Sequence, residues 1–464
     1  MYFSGTLYWI TRVMVMYGDL QTWVAVLVNA ALVAYLALFP AIFAVATRRL
    51  VAVHGRRALA AAPVVWIATE LGRTHLFTGF PWVLLGYSQT TVLPVAQLGS
   101  IFGVYGVSML VAAVSTAVVM TVENAKRATT GAKAFGPVAA AVAVVMTVAA
   151  WGARRVTASD MTRSGDPIRV GLIQGNVSLE ERSDVAKQPS IFESYIRMSR
   201  QAIAEGAELV VWPESATPYR FEDDPVAAAR IRTLAQQARV PILLGSDQVT
   251  AAQKGIPTKY FNSAFLVRAD GTTGGAYRKM HLVPFGEYVP AKQIFFFAAP
   301  LVEAVSDFSA GDEPTLLPIG RHNVSTAICY EVVYPDLVRQ FVVGGSELLT
   351  TITNDAWFGA TSAPYQHFEQ ASMRAIEEGR YLVRSANTGV SGIVDPYGRV
   401  LEKTAIFQPA VLVGDARFLQ TSTFYARHGD VLPYASVVAT VALLFASIRP
   451  PVTRSRTGRP AFDA

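Results

Sequence analysis

Apolar stretches long enough to cross a bilayer occupy both ends of the chain. A helix needs about 20 residues to cross a bilayer core, and candidate stretches lie near 22–46, 98–121 and 134–152, with a shorter one near 431–448 and weaker ones at 1–17 and 57–72. No small-residue cleavage site follows the first stretch, so we interpret it as a span and not as a removable signal peptide. The pattern predicts a multi-span α-helical membrane domain over residues 1–160, and a C-terminal transmembrane helix with a basic cytoplasmic tail over 428–464.

The pattern changes from Pro167 onward, where short β-rich runs alternate with helical ones. Apolar runs of strand length predict strands at 168–174, 208–213, 241–245, 262–267, 324–329, 347–353 and 390–394. Helical periodicity, with Ser, Asp or Pro near most starts, predicts helices near 190–205, 225–238, 334–343 and 366–379. This alternation is typical of an α/β domain, which we place at residues 166–420.

Composition agrees with a membrane protein. Of the 464 residues, 52% are hydrophobic and 16% are charged, against roughly 25% charged in soluble domains. The formal net charge of +6 does not indicate a nucleic-acid partner, because the basic residues cluster beside apolar segments and do not interleave with aromatics along one face. We therefore expect a lipid bilayer as the setting of the chain.

Clusters of basic residues flank the candidate spans and predict their orientation. The three clusters are Arg48, Arg49, Arg56 and Arg57; Lys126, Arg127 and Lys133; and Arg449, Arg454, Arg456 and Arg459. The positive-inside rule places all three in the cytoplasm. The spans at 57–72 and 98–121 then separate the first cluster from the second. The span at 134–152 takes the chain out of the cytoplasm, and the one at 431–448 brings it back. The region from about 155 to 425 is therefore predicted to lie outside the cytoplasm.

Unusual polar residues follow several of the predicted strands, where an open α/β sheet places its chemistry. Glu214 ends one apolar run, Cys329 ends another, and Asn354-Asp355 ends a third. Lys279 lies in a turn-rich segment after a strand. Cys329 is the single cysteine of the chain, so it cannot close an intramolecular disulfide. Convergence of these side chains predicts one pocket.

The residue types in this set suit acyl transfer through a thioester. A thiol becomes a strong nucleophile only beside a base or a cation. Glu214 is a candidate for that base, and Lys279, with the backbone N–H after Cys329, is a candidate for stabilising the oxyanion. Each residue also has a structural interpretation: a buried hydrophobe for the cysteine, a helix start for the glutamate and a solvated surface position for the lysine. Only the combination favours catalysis.

Three blocks of sequence resemble the signature blocks of the nitrilase, or carbon-nitrogen hydrolase, superfamily. They are Trp212-Pro213-Glu214, Lys279 with His281-Leu282-Val283-Pro284-Phe285-Gly286-Glu287-Tyr288, and Ile328-Cys329-Tyr330-Glu331. Further segments resemble its membrane-embedded branch, the apolipoprotein N-acyltransferases: Gly86-Tyr87-Ser88-Gln89, Gln97-Leu98, Asn354-Asp355-Ala356-Trp357-Phe358-Gly359, Pro364-Tyr365-Gln366-His367, Arg374-Ala375-Ile376-Glu377 and Ala386-Asn387-Thr388-Gly389-Val390-Ser391. The resemblance covers residues from about 5 to 448.

The resemblance implies a fold and a set of site residues. The fold would be a nitrilase-like α-β-β-α sandwich joined to the membrane helices. The catalytic triad would be Glu214, Lys279 and Cys329, supported by Glu287, Tyr330 and Glu331; Glu287 could instead merely pair with Lys279. The chain departs from the family pattern in two respects. Six candidate spans stand where relatives usually carry eight, as if N-terminal helices were missing, and Val177-Ser178 stands where the family commonly has Lys-Trp.

The implied reaction moves an acyl chain from a phospholipid to Cys329, and then to the N-terminal α-amine of a diacylglyceryl-modified apolipoprotein. The implied location is the bacterial inner membrane, with the catalytic domain on the periplasmic side. The alternatives are a membrane-anchored amidase or nitrilase and an inactive lipoprotein-binding scaffold, against which the intact Glu, Lys and Cys argue. No cofactor or metal is predicted, since the histidines lack ligand spacing and no Gly-rich nucleotide loop is present. The apolar run 294–302 is too short to span, and we interpret it as a lid dipping into lipid or as a core segment.

Overall fold

The computed structural model describes residues 1–18, 20–127, 131–251, 258–289 and 308–448. The apolar run 294–302 and the tail after Pro450 therefore lie outside the described residues, and both interpretations of that run stay predictions. The described chain consists of a helical part at both ends and a two-sheet part between them.

The helical part contains three described helices that are long and apolar enough to cross a membrane. In chain order the helices are α1 (Tyr2–Thr6), α2 (Trp9–Tyr17), α3 (Thr22–His54), α4 (Ala62–His75), α5 (Leu93–Ala96), α6 (Gly99–Ala125), α7 (Gly131–Ala134) and α8 (Gly136–Ala158). The three long ones are α3, α6 and the helix that begins at Gly136, as the long apolar stretches predict. The stretch at 431–448 forms a shorter apolar helix, Val431–Ala446.

The two weaker candidate spans differ from prediction. Residues 1–17 form two helices of 5 and 9 residues, and their side chains Phe3, Leu7 and Trp9 are buried in the same apolar cluster as Cys329 and Tyr330. Residues 57–72 are divided between a short 3-10 helix, Arg56–Ala61, and the 14-residue α4. Neither stretch forms a single α-helix of membrane-spanning length, but the 3-10 helix and α4 follow each other without a break from Arg56 to His75.

The middle of the chain forms two six-stranded sheets. The strands are β1 (Asp166–Gln174), β2 (Leu209–Val211), β3 (Ile242–Thr250), β4 (Lys259–Val267), β5 (Thr273–Arg278), β6 (Leu317–Ile319), β7 (His322–Ile328), β8 (Leu348–Thr353), β9 (Leu382–Ala386), β10 (Gly392–Val394), β11 (Val400–Lys403) and β12 (Ala410–Phe418). The first sheet has the order β12-β1-β2-β3-β4-β5 and the second the order β11-β10-β9-β8-β7-β6. Strands β1 to β3 are mutually parallel, as are β7 to β9.

The two sheets face each other and helices cover their outer sides. Apolar side chains of both sheets share one core cluster, for example Val211 and Leu243 with Val324 and Ile352. The helices of this part are α9 (Leu179–Ser183), α10 (Gln188–Ala204), α11 (Pro225–Ala238), α12 (Pro335–Val343) and α13 (Ala363–Glu378), followed by α14 (Phe424–His428) and α15 (Val431–Ala446). Helices α10 and α11 pack on the outer face of the first sheet through a second apolar cluster. The predicted α-β-β-α sandwich is confirmed.

Buried polar contacts join the sandwich to the helical part. The Glu377 carboxylate on α13 accepts a hydrogen bond from the Val104 backbone N–H on α6 at 2.7 Å, and Gln97 Nε2 donates to the Tyr397 carbonyl at 2.9 Å. Arg374 Nη2 donates to the Tyr87 hydroxyl at 2.9 Å. Because buried polar groups are costly to leave unpaired, these contacts fix how the two parts sit together.

Candidate active site

The carboxyl ends of the parallel strands bring the predicted residues to one place. Glu214 follows β2, Cys329 follows β7, and Asn354 follows β8. The Asn354 backbone N–H donates to Glu214 Oε2 at 2.8 Å, so the end of one sheet touches the end of the other. Cys329 begins a short 3-10 helix and has a φ of 53°, a left-handed conformation that is uncommon for a side chain other than glycine. Contacts with neighbouring residues must therefore stabilise this backbone conformation.

Lys279 lies between two carboxylates. Its Nζ is 2.9 Å from Glu287 and 3.6 Å from Glu214 Oε1, and only 1% of its surface is exposed. Asn262 on β4 completes the group, because its Nδ2 donates to Glu214 Oε1 at 2.6 Å and to Glu287 Oε1 at 3.0 Å. The Val283 backbone N–H donates to Glu287 Oε2 at 2.8 Å. Glu287 thus orients the lysine and ties it to the following loop.

Burial and neighbouring charges shift the pKa values of the three candidate catalytic groups. Burial raises the pKa of Glu214, and Lys279 partly opposes that shift. Burial alone would lower the pKa of Lys279, but the Glu287 and Glu214 carboxylates raise it, so the ammonium form is favoured. Burial and the Glu214 charge raise the pKa of Cys329, while Lys279 lowers it. The resting thiol is therefore neutral and must lose its proton during attack, and Glu214 is a stronger base than an exposed glutamate.

Glu331 connects the turn at Cys329 to the loop that follows Lys279. Its Oε2 accepts from the Ile328 backbone N–H at 2.7 Å, immediately before Cys329. Its Oε1 accepts from the backbone N–H groups of Met280 and His281 at 2.7 and 3.0 Å, immediately after Lys279. Burial raises the pKa of Glu331 to about 7. The carboxylate positions two candidate catalytic residues through the backbone next to them.

The helical part supplies one wall of the site. Trp82 lies 1% exposed and stacks on the Tyr330 ring with centroids 6.2 Å apart. The Tyr334 hydroxyl hydrogen-bonds the Tyr330 hydroxyl at 3.1 Å and donates to the Gly79 carbonyl at 3.1 Å. A cavity of about 230 Å³ lies at this junction. It is lined by Thr74, His75 and Thr78 of the helical part and by Met280, His281, Tyr334, Asp336, Leu337 and Gln340 of the sandwich.

A second group of buried polar side chains lies next to the turn at Cys329. Asp355 Oδ2 accepts from Arg384 Nη2 at 3.0 Å, and Asp355 Oδ1 lies 3.0 Å from His367 Nδ1. All three side chains are 0% exposed. Burial alone would raise the pKa of Asp355, but Arg384 and His367 lower it to about 2. At neutral pH an ionised carboxylate is therefore held next to His367, which contacts the Cys329 carbonyl.

Sequence reasoning located the candidate triad and its three supporting residues but missed several of their partners. Asn262 lies inside a predicted strand, and its signal is a polar side chain in an otherwise apolar run. Asp355 and His367 belong to segments that resemble the family, yet no role followed from their spacing. Arg384 lies in β9, which was not predicted. Their proximity depends on a fold that joins separate parts of the chain.

Comparison with known proteins agrees with the resemblance. The family model described as carbon-nitrogen hydrolase matches residues 169–420, and the model described as apolipoprotein N-acyltransferase N-terminal domain matches residues 1–117. The chain is 40% identical to an apolipoprotein N-acyltransferase of Geobacter metallireducens over 445 residues, covering 95% of this chain and 84% of the relative. It is 34% identical to that of Bradyrhizobium diazoefficiens, covering 92% and 80%. A solved amidase of the nitrilase superfamily from Nesterenkonia is 20% identical, with a TM-score of 0.42, over 58% of this chain and 94% of the amidase.

Proposed function

The chain belongs to the apolipoprotein N-acyltransferase family, and we propose that it moves an acyl chain from a phospholipid, through a thioester on Cys329, to the N-terminal α-amine of a diacylglyceryl-cysteine apolipoprotein. The observation that carries this proposal is the buried group of Glu214, Lys279 and Cys329 at the junction of the sandwich with the membrane helices. Membership of the family supports an acyltransferase in a membrane, and the geometry supports the residue roles.

In the first half-reaction Cys329 attacks the sn-1 ester carbonyl of the phospholipid. Glu214 accepts the thiol proton as the carbon–sulfur bond forms. The oxyanion is stabilised by Lys279 Nζ and by the backbone N–H of Tyr330. The ester carbon–oxygen bond then breaks, and the leaving oxygen takes the proton from Glu214. The products are a lysophospholipid and the acyl-enzyme.

In the second half-reaction the free α-amine of the lipoprotein attacks the thioester. Glu214 accepts a proton from the nitrogen as the amide bond forms, and the same two donors stabilise the second oxyanion. The carbon–sulfur bond breaks, and Glu214 passes the proton taken from the nitrogen to the sulfur. Because one carboxyl group serves both halves, the reaction is a ping-pong scheme in which the resting enzyme is restored.

The position of the site supports a transferase over a hydrolase. Trp82 and the segment around Gly79 belong to the helical part and contact Tyr330 and Tyr334, just after Cys329. The site therefore borders the part of the chain that the proposal embeds in the membrane, where both lipid-anchored substrates diffuse laterally. Tethering removes the cost of bringing two substrates together in three dimensions. A wall of membrane protein beside Tyr330 also limits the access of water to the thioester.

The contacts of the basic clusters support the proposed orientation. Arg49 Nη2 donates to the Ser447 carbonyl at 2.9 Å, and Arg56 pairs with Glu123 at 2.7 Å. The ends of α3, α6 and α15 thus meet at one end of the helical part. By the positive-inside rule this end is cytoplasmic. The proposal places the protein in the bacterial inner membrane with the catalytic domain on the periplasmic side.

Intact-mass measurement tests the proposed function. The protein in detergent is mixed with a phospholipid labelled on its sn-1 chain, without an acceptor, and a mass increase of one acyl group is expected. The Cys329→Ala variant should show none, and a diacylglyceryl-cysteine peptide should remove the adduct and become N-acylated. Turnover of water-soluble amides alone, with no adduct from phospholipid, would favour a membrane-anchored amidase and contradict the proposal.

A further inference from the structure

A buried histidine contacts the backbone of the nucleophile. His367 Nε2 lies 3.1 Å from the carbonyl oxygen of Cys329, and His367 Nδ1 lies 2.9 Å from Arg384 Nη2. His367 is a residue of α13, whereas Cys329 follows β7. The contact therefore joins a helix on the outer side of the second sheet to the turn that carries the thiol.

The partners determine where the hydrogen of His367 lies. A carbonyl oxygen can only accept, so Nε2 carries the hydrogen and donates it to Cys329. Burial and the Arg384 charge lower the pKa of His367, which favours the neutral ring, and Nδ1 then accepts from Arg384. Asp355 Oδ1 lies 3.0 Å from the same Nδ1 and would accept from it if the ring were protonated. In both states of the ring, Nε2–H donates to the Cys329 carbonyl.

That carbonyl belongs to the peptide unit whose N–H is contributed by Tyr330. A peptide unit is planar, with its C=O and N–H pointing in opposite directions. Holding the Cys329 oxygen therefore fixes the direction of the Tyr330 N–H. Donation to the oxygen also polarises the unit and strengthens its N–H as a donor, because hydrogen bonds in a chain reinforce one another. The left-handed φ at Cys329 makes such a hold necessary, since the turn does not adopt this direction by default.

We propose that His367, held by Arg384 and Asp355, is a positioning residue that orients and polarises the peptide N–H used to stabilise the oxyanion. The inference rests on the proposed acyl transfer and deepens it, because it assigns a role to three residues that do not touch the substrate. It predicts a selective effect: reactions that develop an oxyanion depend on His367, and reactions of the same thiol that develop none do not.

Two substitutions of His367 test the contributions of its two ring nitrogens separately. The amide nitrogen of Gln reaches the place of Nε2, so His367→Gln keeps a donor for the Cys329 carbonyl, whereas that of Asn reaches only the place of Nδ1. Both variants lose the ring that packs 5.3 Å from Trp82, so this loss cancels in the comparison. Ser372→Ala on the same helix is the matched control, since its hydroxyl donates to the Phe368 carbonyl.

The experiment compares acylation with alkylation of Cys329. Acylation is timed with a labelled phospholipid and with p-nitrophenyl butyrate, and alkylation with iodoacetamide, which reacts at a tetrahedral carbon without an oxyanion. We expect His367→Asn to lower both acylation rates by about 10²-fold, the usual effect of losing one oxyanion donor, while alkylation stays within about 3-fold. His367→Gln should recover most of the acylation rate, and Ser372→Ala should behave as the wild type.

Other outcomes distinguish failure of the inference from failure of the proposed function. Equal acylation by the Asn and Gln variants, or equal losses of acylation and alkylation, would overturn the positioning role. A wild type acylated by p-nitrophenyl butyrate but not by phospholipid would contradict the proposed donor and still test the inference. A wild type acylated by neither ester would overturn both. If the Asn variant does not fold, Asp355→Asn is expected to give a smaller loss of acylation with unchanged alkylation, and a parallel loss of both rates would refute the role.

Discussion

Replacement of Asn262 by Leu is expected to raise the pH at which activity is lost on the acid side. Asn262 donates to Glu214 at 2.6 Å and to Glu287 at 3.0 Å, and these bonds stabilise the ionised carboxylates. Leu has the same number of side-chain heavy atoms and the same branching at Cγ, but no donor. In the variant, Glu214 loses a bond that lowers its pKa, so its proton is held more tightly. The base required for thiol attack is then protonated at a higher pH.

The size of the shift follows from the strength of the lost bond. A hydrogen bond to a charged group contributes about 1.5–3 kcal/mol, and one pKa unit corresponds to about 1.4 kcal/mol. The acid limb should therefore move upward by about 1–2 pH units, from a wild-type position already above the ordinary glutamate value because burial raises the pKa of Glu214. The variant also loses the hydrogen bond from Asn262 to Glu287. Glu287 then positions Lys279 less firmly, so the maximal rate is expected to fall.

The assay is the pH profile of kcat/KM for acyl-enzyme formation, which reports groups of the free enzyme. Ser263→Ala is the matched control, because Ser263 is the next residue of the same strand, is equally buried and points to the opposite face. Its profile should coincide with that of the wild type. An acid limb that stays in place or moves downward in Asn262→Leu would refute the assignment of Glu214 as the base.

Two further substitutions test the charges and the packing around the site. Glu287→Gln removes a like charge that raises the pKa of the proposed base, so the acid limb of the same profile should move downward, opposite in sign to the Asn262 variant; an upward shift would contradict the coupling. Gly389→Ala would place a Cβ 2.1 Å from Asp355 Oδ2, a carboxylate that cannot move freely because Arg384 holds it, so a loss of acyl transfer and of several degrees in melting temperature is expected. Gly136→Ala, with nothing within 4 Å of the new Cβ, should change neither.

The fold was predictable where hydrophobicity alone determines burial. Strands β1, β3, β4, β7 and β8 carry long apolar runs, and the predicted start of each lies within three residues of its observed start. Strand β9 was missed because Arg384 and Ser385 interrupt its pattern, although both are fully buried. Strand β5 was missed because two glycines lie within six residues. In each case a tertiary partner, and not the local pattern, stabilises the extended conformation.

Some residues of the candidate site could likewise be predicted from the sequence, and others could not. Glu214, Lys279 and Cys329 could be found because each is a reactive residue in an unusual setting at the end of a strand. Arg384 and His367 could not, since their importance lies in which atom each one contacts. Glu331 is an intermediate case: its position after the nucleophile indicated a role, but only the structure gives it contacts on both sides of the site, with backbone N–H groups before Cys329 and after Lys279.

Burial of the thiol has two opposing consequences for the proposed reaction, and the fold resolves the conflict. Burial raises the pKa of Cys329, which makes the resting thiol a poor nucleophile, but it also protects the thioester from water. The conflict is resolved if deprotonation occurs only when an ester carbonyl is in place, because the developing oxyanion then interacts with Lys279 and the Tyr330 N–H in a medium of low dielectric constant, where such interactions are strongest. A permanently ionised thiolate would gain less from these donors. We therefore expect a sluggish reaction with iodoacetamide and a fast one with esters, a combination that an exposed reactive cysteine would not give.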